Sequence, residues 1–311
     1  MGARARPDPP LPRPYSWGVP DGFRIRPMTA DDIDPANALA RAQGWRDRAR
    51  LYAFVLRVPT CRPLVGTIDG RIVATGLATA NGPVGWLGAI IVDSNYRRRG
   101  FGRTMTEELI GRLRADGCQT ISLEATEAGR PLYDRLGFRV HCHYIEMDPA
   151  GEAVEPAPPP RTRLRRMKAA DLPAVSALDR AATGEDRHAA LTLLAEESGW
   201  ILEDDSGLPE AEEWLEPAPA IRGFLLPSDR GHGAIVAPLF EDGEFLMRLH
   251  HFVGRAGPGP RCGMPDAHGP DLAELAGRGW HDVGRLPRMV LGADPIWRPT
   301  WIWGQINSAM G

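Results

Sequence analysis

Residues 87–102 read LGAIIVDSNYRRRGFG, an apolar run that passes directly into an arginine-rich turn bearing two glycines. The run has the branching of a buried strand, and the pattern beyond it predicts a helix over 103–115 with Met105, Leu109 and Leu113 on one face. Gly100 and Gly102 let the main chain approach an anion with no Cβ in the way, and the helix aims its free N–H groups and positive dipole end at the same point. Arg97, Arg98, Arg99 and Arg103 add charge. The junction suits a phosphorylated ligand, although an arginine run taken alone also describes a solvated face or a nucleic-acid patch.

Spacing narrows the choice. Arg97-x-x-Gly100-x-Gly102 lacks the lysine-serine end of a Walker loop and the first glycine of G-x-G-x-x-G. Downstream, a strand over 119–124 leads to Thr126, Leu132, Tyr133, Leu136, Gly137 and Phe138. Together these residues resemble the pyrophosphate loop and following strand–helix unit of the GNAT acyltransferase superfamily. The resemblance implies an α/β (α+β) fold with a mixed, mostly antiparallel sheet flanked by helices and a splay between strands 4 and 5. In that splay acyl-CoA lies with its pantetheine on Ile90, Ile91 and Val92, facing an edge over 121–123. Its pyrophosphate then rests on the turn, so the resemblance makes Arg97, Arg98, Arg99, Gly100, Phe101, Gly102 and Arg103 candidate acetyl-CoA contacts, with Thr126 beside them. Thr126 stands where the family usually has Asn, and Gly129 where it usually has Ala; Thr126 can still cap the helix.

At 311 residues and 43% hydrophobic, the chain is long enough for two domains with real cores. A net charge of −3 makes the arginines a local patch on a mildly acidic protein, so a nucleic-acid partner is not expected. No segment has the apolar length to span a bilayer and the N-terminus lacks an apolar h-region, so no membrane partner and a cytoplasmic location are expected. Cys61, Cys118, Cys142 and Cys262 are far apart with no ligand spacing, and His141 and His143 flank Cys142 as ordinary strand residues; no metal is expected.

Residues 1–22, rich in Pro, Arg and Gly, read as a disordered arm, and 151–160, GEAVEPAPPP, as an extended linker. They bound a catalytic domain over 23–150 and a second domain over 161–311. The two begin alike: FRIRPMTADDIDPANAL from Phe23 aligns without a gap with TRLRRMKAADLPAVSAL from Thr162, matching Arg26 to Arg165 and Asp32 to Asp171. GAIIV at Gly88 echoes GAIVA at Gly233, and Gly137-Phe138 with Met147 echoes Gly279-Trp280 with Met289. The chain reads as a duplicated domain. The first copy predicts strands at 23–27, 64–68, 71–79, 84–92, 119–124 and 138–147, with helices at 30–41, 46–57, 103–115 and 127–136. In the second copy FEDGEFLMR replaces NYRRRGFGR, and Glu241, Asp242 and Glu244 would repel a pyrophosphate. With GFLLPSDRGHGAIVAPL from Gly223 and the closing Ser-Ala-Met-Gly, this resembles a bacterial subgroup of tandem GNAT proteins whose C-terminal domain is degenerate.

Tyr133 holds the position of the tyrosine that protonates the departing CoA thiolate in many of these enzymes, and a phenol keeps its proton at neutral pH. The attacking amine must lose a proton, and Glu124, at the end of the fifth strand, is the candidate base, directly or through water. A packing tyrosine and a solvated carboxylate are the alternative readings of the two. Asp93 fixes the turn, and Trp45 lies near the acceptor pocket or in the core. No cysteine motif marks an acyl carrier, which favours direct transfer in a ternary complex. The expected activity is acetyl transfer from acetyl-CoA to a primary amine, of a small molecule, by a monomer that contains an internal pseudo-dimer or by a homodimer. A non-catalytic acyl-CoA sensor and a protein N-acetyltransferase remain alternatives.

Overall fold

The structure, a computed structural model, describes residues 22–205, 221–228, 233–254 and 262–311. The arm expected over 1–22 lies, but for its last residue, outside the described residues, as does part of the Gly223 motif.

The first half runs β1 (Arg24–Pro27), α1 (Ile33–Ala42), α2 (Ala49–Val55), β2 (Cys61–Ile68), β3 (Arg71–Asn81), β4 (Val84–Val92), α3 (Phe101–Ala115), β5 (Thr120–Glu124), α4 (Arg130–Arg135) and β6 (Arg139–Pro149). Local chemistry sets the bounds. Asp69 and Gly70 both take positive φ, 48° and 79°, the pairing that closes a tight hairpin between β2 and β3. The second helix starts later than its apolar pattern suggests, because a turn holds the chain ahead of it: Asp47 accepts from the Ala49 amide at 3.0 Å and Asn37 Oδ1 from the Arg48 amide at 2.6 Å. The third starts earlier, since Gly100 at φ 89° delivers the chain into the first turn. Its Met105, Leu109 and Leu113 are fully buried on the sheet. Gly76 and Gly85 make that approach possible: a Cβ on them would stand 2.7 Å from Leu109 and 2.8 Å from Leu113.

Residues 151–160 carry neither helix nor strand. The second half repeats the order: β7 (Thr162–Arg166), α5 (Leu172–Thr183), α6 (His188–Glu197), β8 (Trp200–Asp204), β9 (Ile221–Leu226), β10 (Ala234–Val236), α7 (Phe240–Val253), β11 (Cys262–Pro265), α8 (Gly269–Gly277), β12 (Trp280–Gly292) and an added β13 (Ile302–Gly304). The repeat reaches single atoms. Arg26 grips Asp32 with both terminal nitrogens at 2.5 and 2.7 Å, and Arg165 grips Asp171 in the same way at 2.7 and 2.9 Å. Each carboxylate also accepts the amide three residues before it, from Thr29 and from Lys168.

Strands from the two halves interleave. One sheet has the order β1-β2-β3-β4-β5-β12-β6-β11 and the other β13-β10-β9-β8-β7. Among the described pairings only β4 with β5 is parallel, giving the mixed, mostly antiparallel sheet expected. β12 inserts between β5 and β6, while β6 pairs with β11 along its other edge, so each half lends its long last strand to the other. In the second half β13 pairs with β10 and lies against β11, on the side where β4 meets β5 in the first.

Candidate active site

β4 and β5 pair from Val84↔Thr120 to Leu87↔Leu123 and then part. The expected splay is therefore present. β4 continues alone on that side through a bulge: Ala89 has φ 46° and the register against β3 shifts between Thr75 and Leu77. Thr75 Oγ1 donates to the Ala89 carbonyl at 2.9 Å and holds the bulge. Ile91 and Val92 remain paired to Thr75 and Ala74 on β3, leaving the other main-chain edge of 90–92 facing the opening. The edge expected over 121–123 is different. Ile121, Ser122 and Leu123 pair with β4 on one side and with Leu291, Val290 and Met289 of β12 on the other, because the exchanged strand fills that place.

Beyond Val92 the chain turns on Asp93, whose carboxylate accepts from the Asn95 amide at 2.9 Å, the turn-fixing role expected of it. Arg98 has φ 60° and Gly100 φ 89°, so the main chain coils tightly before the helix. Among the described residues no main-chain carbonyl accepts from the amides of residues 98–103. Those donors gather at the N-terminus of a fifteen-residue helix, an arrangement that suits an anion. Arg98, Arg99 and Gly100 are exposed. The arginines differ in employment: Arg97 donates to Val92 O at 3.1 Å and to Gln43 Oε1 at 2.6 Å, Arg99 lies over the Tyr96 ring at 5.6 Å, and Arg103 pairs with Glu107 at 2.8 Å. Arg97 thus ties the turn to the loop between α1 and α2. Phe101 is buried edge-on against Phe23, and a Cβ on Gly102 would meet Val92 at an ordinary 3.5 Å.

Tyr133, on α4, is 8% exposed and shares an apolar cluster with Phe101, Leu123 and Phe138. Burial pushes its phenol up to about 12. Gly129 makes room for the ring, since a Cβ there would be 3.0 Å from Cε2, and Thr126 Oγ1 accepts from the Gly129 amide at 3.2 Å to cap this turn.

Glu124 stands directly opposite Arg288 across the β5–β12 ladder, and Gln305 Nε2 donates to its Oε1 at 2.5 Å. Arg288 is 1% exposed, donates to Ser122 Oγ at 3.1 Å, and stacks over Trp86 at 4.7 Å and Trp297 at 4.4 Å. The buried Glu185 carboxylate lies 3.8 Å away, hydrogen-bonded by Trp86 Nε1 and Asn81 Nδ2. Burial raises the Glu185 carboxyl above its usual range against the pull of Arg187 and Arg288. Arg288 and Gln305 were not legible as site residues, because only the strand exchange brings 280–292 and the C-terminal segment beside the first half. Trp45 is half-buried against the core cluster that holds Tyr52, Ala89 and Ile91.

Cys61, Cys118 and Cys262 are buried, and burial pushes their thiols up, to about 11 for the first two; half-buried Cys142 rises to about 12. None is a ready thiolate. In the second half the corresponding helix opens on carboxylates already taken: Glu241 by Arg278, Asp242 by Arg222 at 2.9 Å, and Glu244 by Arg248 and Trp280. β13 seals the adjacent wedge, its Trp303 donating to Ala237 O at 2.9 Å and packing so closely on Gly243 that a Cβ would fall 2.0 Å from the ring.

Comparison with known proteins gives a consistent picture. The model of the acetyltransferase (GNAT) family matches residues 28–138. Glucosamine 6-phosphate N-acetyltransferase of Trypanosoma brucei brucei is 34% identical over 113 residues, which are 35% of this chain and 74% of that protein. Among solved structures, a protein assigned as an acetyltransferase from Pyrococcus horikoshii superposes with a TM-score of 0.73 at 20% identity, covering 94% of this chain and 96% of that one. A tandem GNAT protein from the clavulanic acid biosynthesis pathway superposes with a TM-score of 0.58 at 16% identity, covering 88% and 99%.

Proposed function

The chain belongs to the GNAT acetyltransferase family and is an N-acetyltransferase, and from that premise we propose that it acetylates the primary amine of a small molecule at one site, in the first half. The observation that carries this reading is the open edge of residues 90–92 running into an anion nest over 98–103. Acetyl-CoA, the donor of the family, supplies the acetyl group as a thioester. The residues present fit it: a strand edge for amides of the pantetheine arm, free N–H groups for the pyrophosphate, and arginines at the rim.

Tyr133 then holds a proton for the departing sulfur, since a phenol raised to about 12 stays protonated across the physiological range. Glu124 takes the proton of the attacking amine, directly or through water, with Gln305 orienting it. Direct transfer is supported by thiols that burial keeps protonated. Residues 23–150 form the catalytic domain joined by 151–160 to a second domain, whose corresponding wedge is filled by β13. The named relative acts on an amino sugar phosphate, which supports a small-molecule acceptor. Thiol release across a broad amine panel tests the proposal. Tyr133→Phe is expected to lower kcat by about 10²-fold or more with acetyl-CoA affinity retained; turnover undisturbed by that change would contradict the assigned role, and absence of thiol release with every amine would contradict the reaction.

A further inference from the structure

We propose that the acceptor amine also carries an oxyanion, a carboxylate or a phosphate, and that Arg48 and Tyr52 receive it beside the bulge of β4. The inference rests on the acyltransferase reading and adds the class of acceptor. Arg48 immediately precedes α2 and Tyr52 lies one turn on, its amide donating to the Arg48 carbonyl at 2.9 Å, so the two side chains share a helical face. Tyr52 is 0% exposed, yet its hydroxyl has no hydrogen-bond partner. The Thr75 hydroxyl stands close to the phenol, but its one proton goes to Ala89 O at the bulge. Arg48 Nε is equally buried and unpartnered, with the guanidinium 5.2 Å from the centre of the Trp45 ring.

Among the described residues no carboxylate answers Arg48. Asp47, next to it in sequence, is turned to Asn37 Nδ2 at 2.9 Å and to the Ala49 amide. Elsewhere this chain pairs its enclosed arginines with acids, Arg187 with Asp179 and Arg222 with Asp242. A guanidinium nitrogen buried without a carboxylate, beside a buried phenol that makes no well-formed hydrogen bond, is costly unless a ligand completes them, and a planar fork of donors matches an oxyanion. Tyr52 belongs to the same apolar cluster as Ala89 and Ile91, which sets the phenol in the core behind the stretch of β4 assigned to the pantetheine arm. An anion held there would leave an amine on the same small molecule free to face that strand.

The test compares matched amines with and without the charge: phosphoethanolamine against ethanolamine, and β-alanine against its amide. Wild type is expected to favour at least one anionic partner by about 10-fold or more in kcat/KM, with Arg48→Met bringing that ratio near unity and Arg48→Lys restoring part of it. Which pair shows the preference tells phosphate from carboxylate. Equal use of charged and neutral partners, or a preference that survives Arg48→Met, overturns the proposal. Calorimetric titration with inorganic phosphate and with acetate, in saturating CoA so that the nest is filled, separates this from the reaction itself. Anion binding lost in Arg48→Met and weakened in Tyr52→Phe supports the site even where no amine is acetylated; no anion binding by wild type contradicts it.

Discussion

At the scale of single residues, the paired latches Arg26–Asp32 and Arg165–Asp171 show how far the sequence could be read. Their alignment at matched positions predicts equivalent roles, and the structure gives them the same bidentate geometry. The Arg26 guanidinium, helped by the Thr29 amide, holds the Asp32 carboxyl down at about 2, and Arg165 lowers Asp171 likewise. A lowered folded pKa contributes stability that is complete above the ordinary carboxylate range and is lost as pH falls toward about 2. Arg26 is 44% exposed on its side chain, so solvent screens part of the gain. Asp32→Asn is therefore expected to cost about 1–2 kcal/mol in urea unfolding at neutral pH, with the gap from wild type closing below about pH 4. A gap that persisted at pH 2 would mean that the latch works through packing. Tyr133, Gly100 and Gly102 could be singled out for a similar reason: the roles proposed for them come from a linear motif. Arg48, Arg288 and Gln305 carry no such pattern, and their surroundings come from residues distant in sequence.

At the scale of elements, periodicity located the strands and helices of the first half, while caps moved their ends. The hairpin at Asp69-Gly70 and the buried face of α3 follow from local signals. The neighbours of β5 do not, because an exchanged strand satisfies the same alternating pattern as one from its own half. β13 was equally hidden, a three-residue strand whose place depends on Gly243. Its seat gives a prediction. Gly243→Ala would drive a methyl into the Trp303 ring, costing about 1–3 kcal/mol by overpacking, with acetyl-CoA affinity unaltered if the donor site lies, as proposed, in the other half. A thermal melt paired with donor titration checks both parts, and lost donor binding in a folded variant would place the site in the wrong half.

At the scale of the whole molecule, the exchange of β6 and β12 makes the halves interdependent. Cutting the chain in 151–160 would leave β5 and β6 without the strand between them and expose two pairing edges. The first half alone is thus expected to aggregate or to dimerise by pairing its own β6 with a second copy, whereas co-expressed halves reassemble; size-exclusion chromatography distinguishes these outcomes, and a stable monomeric first half would contradict the interleaving. The central claim is one donor site per chain, built on the turn before α3. Gly100 is a poor place to test it, since any side chain at φ 89° is strained. Gly102 is better, because its Cβ would find ordinary contact space and an acid suits a helix first turn. The deciding measurement is calorimetric titration of acetyl-CoA into wild type and Gly102→Glu. The account predicts one site per chain in wild type and none in the folded variant; a second site, or a site undiminished by the new carboxylate, would contradict it.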